Sequence, residues 1–195
     1  MTEAEWLKCK VPEALFAQAK RPRRTSQRVY RLFTAGFWRW QQTRIKRIAH
    51  VQQMSERLDK LEQWAETGVP PPGVLPNREP VLSFFAPRAR NAAENAVRLG
   101  TEWREKVVKS VLCDLIREVF GNPFRPVALD PAWLTSDVLA LARGIYTDRA
   151  FDRMPILADA LQDAGCNNDD ILNHCREPGT HVRGCWVVDL LLGKG

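Results

Sequence analysis

Residues 25–67 decide how this chain folds: Thr25-Ser-Gln-Arg-Val-Tyr-Arg-Leu-Phe-Thr-Ala-Gly-Phe-Trp-Arg-Trp40, then onward through Ile48, Val51, Met54, Leu58, Leu61 and Ala65. Apolar side chains recur at Val29, Phe33, Phe37 and Trp40 and at the later positions just named. Steps of three and four put them on one side of an α-helix. The spacing predicts a continuous helix roughly 60 Å long, which needs a partner along its apolar stripe. The chain supplies one. Gly68 to Pro80 holds five prolines and two glycines, which bars helix. From residue 87 to 120 the helical period resumes, with Ala89, Ala93, Ala96, Trp103, Val107, Val111 and Leu115 near one face. Small alanines let two backbones approach closely. A long antiparallel helical hairpin over residues 25–120 is therefore expected, with a Pro-rich connection at 68–80.

Upstream, Glu3 to Cys9 and Pro12 to Lys20 read as short helices, so residues 1–24 form a small N-terminal piece. Downstream, Gly121-Asn-Pro-Phe-Arg-Pro126 cannot extend a helix. Asp130, Ser136 or Asp137, Asp152, and Asn167 or Asn168 then stand where N-caps of short helices belong. A last helix is expected over Val182 to Leu192, apolar nearly all round and hence buried. Residues 121–195 are thus read as a compact C-terminal bundle of short helices. No stretch alternates with the period of a strand, and the fold class is all-α.

The net charge of +6 conceals a gradient: +9 over residues 1–50, zero over 51–120 and −3 over 121–195. Such polarity suits the N-terminal part to a polyanion, to an acidic partner, or to the chain's own acidic half. No apolar run is long enough to span a bilayer, and the opening Met1-Thr-Glu-Ala-Glu-Trp6 is acidic where a secretory signal would be basic. Five cysteines at no evident disulfide spacing fit a reducing compartment. A cytoplasmic protein without membrane association is expected.

At Gly121-Asn-Pro-Phe-Arg-Pro126, Asp130-Pro-Ala-Trp-Leu-Thr135, Arg149-Ala-Phe-Asp-Arg-Met-Pro-Ile-Leu-Ala-Asp-Ala-Leu-Gln-Asp-Ala-Gly-Cys166 and His181-Val-Arg-Gly-Cys-Trp-Val-Val-Asp-Leu-Leu-Leu-Gly193, the chain resembles an uncharacterised bacterial family. Its members open like Met1-Thr-Glu-Ala-Glu-Trp-Leu7. The resemblance covers the first ten residues and roughly 115 to 195. It implies that the C-terminal segment is a module in its own right, and it carries no activity or ligand with it. Members have cysteines where this chain reads Leu32-Phe-Thr-Ala-Gly-Phe-Trp38, so no ligand role falls there.

Cys166, His174, Cys175, His181 and Cys185 crowd the last thirty residues. His181, Cys185 and Asp189, at i, i+4 and i+8, would share one face of a helix beginning near His181. Cys166, His174 and Cys175 are available to complete a tetrahedral site, and Cys166, Cys175, His181 and Cys185 are the candidate metal ligands. Zinc is the ion such thiolates and imidazoles favour, and no other cofactor is expected. The gaps match no finger or ribbon, and Cys175 and Cys185 equally read as small core residues. A thiol nucleophile built from Cys185, His181 and Asp189 is disfavoured, because burial among Val187, Val188 and Leu190 suppresses the thiolate. Asp148, Asp152, Asp159, Asp163, Asp169 and Asp170 sit mostly where caps and first turns favour a carboxylate.

Lys20 to Arg47 holds ten basic residues and no acid, interleaved with Tyr30, Phe33, Phe37, Trp38 and Trp40. Basic residues anchor phosphates and aromatic faces stack on bases. The same aromatics lie at core spacing, and Arg stems commonly cover an apolar face while their heads stay wet. The binding candidates are Arg23, Arg24, Arg28, Arg31, Arg39, Arg44, Lys46 and Arg47, with Arg23, Arg24 and Arg28 at the exposed start of the helix. No Gly-rich phosphate loop, nucleophile elbow or paired-carboxylate frame is present. The sequence therefore leads to a non-enzymatic helical interaction module that turns a basic face to an acidic protein surface. The alternative is a nucleic-acid-binding protein using residues 20–47, and a third reading is a zinc-dependent or thiol enzyme.

Overall fold

The computed structural model describes residues 1–19, 26–44, 48–72, 89–102 and 106–194, with backbone alone for 48–51, 53 and 101–102. Among them are ten α-helices and no strand: α1 (Glu3–Lys8), α2 (Pro12–Ala19), α3 (Gln27–Gln42), α4 (Ile48–Thr67), α5 (Ala89–Glu102), α6 (Lys106–Phe120), α7 (Ser136–Asp148), α8 (Met154–Asp163), α9 (Asp169–Arg176) and α10 (Trp186–Leu191). The all-α class holds. No helix among the described residues is long and apolar enough to cross a membrane.

The expected single helix over 25–67 is two helices. Ser26 caps α3 by accepting from the Val29 amide at 3.3 Å. The helix ends where the Thr43 hydroxyl donates to the Trp40 carbonyl at 2.7 Å and the Arg44 amide to the Gln41 carbonyl at 3.0 Å. After the turn, α4 packs along α3. The reason lies in α3 itself: all eight residues from Tyr30 to Phe37 are buried. A helix buried all round needs neighbours on every side, and one partner along one stripe cannot provide them. Leu58, Leu61 and Trp64 of α4 cover Ala35, while α2, α5 and α6 contribute to the core around Phe33 and Phe37.

The second expected arm is also two helices. Gly100 of α5 faces α6 so closely that an added Cβ would stand 2.5 Å from Leu112 Cδ1 and 3.1 Å from Phe37 Cζ. A side chain there would displace the buried Leu112 and Phe37 side chains, so glycine lets them pack directly against α5. Of the Pro-rich connection, residues 73–80 lie outside the described residues, and Gly68 to Pro72 are not helical.

The N-terminal helices join this first core: Trp6, Leu15 and Phe16 are buried with Phe33, Phe37, Leu112 and Ile116. A second core gathers Ile145, Met154, Leu157, Leu161, Ile171, Val187 and Val188 from α7 to α10. Thr135 caps α7, and Asn168 caps α9 by accepting from the Ile171 amide at 3.1 Å. The last helix is shorter than expected, because residues 181–185 form a turn in which Gly184 adopts φ +94°.

Candidate functional site

Four side chains from separate elements converge between the two cores. Glu118 comes from the last turn of α6, His174 from α9, His181 from the segment joining α9 to α10, and Cys185 from the residue preceding α10. Their ligand atoms all lie within 4.8 Å of one another. Glu118 Oε2 is 3.1 Å from both His174 Nε2 and His181 Nδ1, and His174 Nε2 is 3.3 Å from Cys185 Sγ. Val182, buried in the first core, pins the loop, and its amide donates to Glu118 Oε1 at 3.3 Å.

Burial works against the charge on Glu118, but hydrogen bonds and attraction from the two imidazoles prevail and hold the carboxyl at about 2. Burial likewise opposes a proton on His181, yet Glu118 outweighs it and raises the imidazole. Burial pushes the Cys185 thiol well above its ordinary range, and the Glu118 charge pushes the same way. One carboxylate, two imidazoles and a thiol can hold a borderline-soft divalent ion or share protons among themselves.

Of the four expected metal ligands, His181 and Cys185 belong to this cluster, while Cys166 and Cys175 lie in the second hydrophobic core. Burial drives the Cys175 thiol up to about 12. His181 and Cys185 do not share a helix face, since the turn at Gly184 separates His181 from α10. Asp189 points elsewhere, to Arg28. Glu118 escaped the sequence reading, although an acid on the stripe of Leu112, Leu115, Ile116 and Val119 is itself a signal, because a buried carboxylate needs partners.

The basic segment is largely turned inward. Arg28 reaches Asp189, Glu66 and Tyr146. Burial opposes its charge, and the hydrogen bond and attraction of Asp189 more than restore it. Arg31 is buried with its guanidinium 4.1 Å from the centre of the Trp64 ring. Arg39 pairs with Glu62 and Asp59, and Arg149 and Arg183 from the C-terminal half also reach Glu62. Arg44 lies exposed over Trp40. Arg23, Arg24, Lys46 and Arg47 lie outside the described residues. Tyr30, Phe33 and Phe37 are core residues with no face free for a base.

A different basic surface lies at the other edge of the first core. Lys8, Lys10, Lys106 and Lys109 surround a groove of about 890 Å³ between α6 and the α1–α2 turn. Exposed Leu7 and Val107 line the same groove, at 58% and 48% of their full area. None of the four lysines makes an ion pair with a described residue, whereas Arg117 is occupied by the Trp6 and Cys9 carbonyls.

No family model, curated protein or solved structure matches the chain.

Proposed function

We propose that the protein is a non-enzymatic helical interaction module, and that its docking surface is the lysine-rimmed groove between α6 and the α1–α2 turn. The partner is an acidic amphipathic protein segment. One observation carries this reading: four lysines without ion pairs surround two exposed aliphatic side chains. Arg28 and Arg39 are neutralised inside the fold, whereas these four lysines share one groove whose carboxylate, Asp114, is paired with Arg117. An apolar floor with a cationic rim complements a helix bearing leucines on one face and carboxylates beside them.

The nucleic-acid reading draws less support. Of its arginines within the described residues, Arg28 and Arg39 are engaged with Asp189, Glu66, Glu62 and Asp59 and Arg31 with Trp64, Arg44 lies over Trp40, and most of its aromatic platform is core.

The test is fluorescence anisotropy of a labelled Glu/Leu amphipathic peptide. Saturable binding is expected, weakened at least tenfold by Lys8→Glu with Lys106→Glu and, separately, by Leu7→Ser with Val107→Ser. All four positions are on the surface, so circular dichroism should be unchanged. Equal binding by the variants, or preference for a random oligonucleotide or anionic vesicles over the peptide, would overturn the proposal.

A further inference from the structure

We propose that Glu118, His174, His181 and Cys185 form a structural zinc site, closing a tetrahedron of protein ligands that ties α6 to the C-terminal bundle. Bonds of about 2.0 to 2.3 Å imply ligand–ligand separations of roughly 3.3 to 3.7 Å at tetrahedral angles. The closest approaches here, 3.1 Å from Glu118 to each imidazole and 3.3 Å from His174 to Cys185, stand at the short edge of that range, so an ion would need to spread them only slightly. The remaining separations are within 4.8 Å, and an ion would draw these ligand atoms together.

A hydrogen-bonded cluster without metal accounts for the site less well. His174 Nε2 carries at most one proton, yet it faces both a carboxylate oxygen and a sulfur. If it donates to Glu118, its contact with Cys185 carries no hydrogen bond of its own, and the sulfur is held by the backbone amides of Val187 and Val188 alone, donors that also suit a metal-bound thiolate. If it accepts from the thiol, its lone pair is turned beside the carboxylate. A cation at the common centre satisfies all four groups together. Charge balance agrees, because Zn²⁺ with one carboxylate, one thiolate and two neutral imidazoles is a neutral centre, suited to a buried position. A coordinated thiol loses its proton to the metal even where burial alone would keep it.

The surroundings hold the ligands in place. The Val182 amide fixes Glu118, the backbone of Glu177 hydrogen-bonds the His181 ring, Trp186 packs against His174 at 5.2 Å, and Phe151 stacks on His181 at 6.5 Å. Such outer contacts orient ligating imidazoles. A surface cleft of about 370 Å³ reaches Glu118, His174 and His181, so an ion has a path inward, while Cys185 is buried. Thiolate with imidazole selects zinc over magnesium or calcium. Four protein ligands leave no open position, which makes the site structural and speaks against a zinc hydrolase.

The experiment uses the full chain, stripped with chelator and titrated with Co²⁺ and then Zn²⁺. Expected are a one-to-one endpoint, intense tetrahedral d–d bands with a thiolate-to-cobalt charge-transfer band, bleaching of both by zinc, and a higher melting temperature in the loaded protein. Cys185→Ser should abolish the charge-transfer band, and Glu118→Gln, nearly the same shape, should weaken zinc binding roughly tenfold or more. If either variant fails to fold, the wild-type cobalt spectrum still decides. Absence of a one-to-one endpoint and of tetrahedral bands in folded wild-type protein would overturn the site. It would leave a Glu–His–His–Cys hydrogen-bond cluster, and the lysine groove would be unaffected.

Discussion

Arg28 and Asp189 lie 161 positions apart and meet in a two-pronged ion pair, Nη1 to Oδ2 at 2.6 Å and Nη2 to Oδ1 at 2.9 Å. The pair joins the first turn of α3 to α10. The same guanidinium donates to the Lys194 carbonyl at 2.8 Å and to the Tyr146 hydroxyl at 2.8 Å, and its Nε donates to Glu66 at 3.0 Å. An arginine read from sequence as an exposed phosphate anchor is thus the link between the basic N-terminal and acidic C-terminal parts of the chain.

Removing one member of this pair should be costly, since both side chains are largely withdrawn from water, at 14% and 8% exposure. Asp189→Asn is expected to destabilise by about 3 kcal/mol, the lower end for breaking a buried pair, because Glu66 still faces the guanidinium. Arg28→Glu should cost more, placing a third carboxylate beside Asp189 and Glu66. Urea unfolding measures both. A double-mutant cycle with Arg28→Met should show coupling, and simple additivity would deny it.

Acid should loosen the same region through Glu66. Burial disfavours its charge, but hydrogen bonds from Lys194 and Tyr146 and the charges of Arg28 and Lys194 prevail, so its pKa falls below the ordinary 4.5. A carboxylate lowered on folding gives stability that is fully present above pH 4.5 and is lost as pH falls through the folded value. Asp59, lowered by Arg39 and Arg149 against its own desolvation, acts in the same direction. Asp189 acts in the opposite one, because burial raises it despite Arg28. Melting temperatures between about pH 3 and pH 6 should therefore fall toward acid, and Glu66→Gln should flatten that limb. An unchanged slope in the variant would remove Glu66 as its source.

Gly184 sets the approach of the site loop to α3. It adopts φ +94°, and a Cβ there would lie 2.9 Å from the Leu32 Cβ. Gly184→Ala should destabilise by about 2 kcal/mol or more, combining backbone strain with a clash between two rigidly placed atoms. Gly179, two residues before His181, has nothing within 4 Å of an added Cβ, so Gly179→Ala serves as the control and should be near neutral. Equal melting temperatures for the two variants would contradict the close contact.

Much of the local structure is written in the sequence because it depends on neighbours three or four residues away. The helical class, the cap at Asn168 and the burial of Val187 and Val188 follow from period and capping chemistry, which act within a turn or two. The break between α3 and α4 does not. Thr43-Arg-Ile-Lys-Arg47 contains neither Gly nor Pro, and the apolar step continues across it, so a long helix and a folded-back pair share one pattern. What separates them is that Tyr30 to Phe37 must be buried on all sides, and only the assembled core satisfies that demand.

The candidate site divides in the same way. Sequence brings His174, His181 and Cys185 into one short segment, and their chemistry already suggests a metal. It cannot tell that Cys166 and Cys175 turn into the apolar core, because a thiol suits a core and a ligand set equally well. Nor can it bring in Glu118, 63 residues before His181 on another helix. Local spacing determines which face of a helix a residue occupies. Which face meets which is decided by packing of the whole chain, and that packing turned Arg28 and Arg39 inward, left Lys8, Lys10, Lys106 and Lys109 outside, and placed one carboxylate, two imidazoles and a thiol around a common centre.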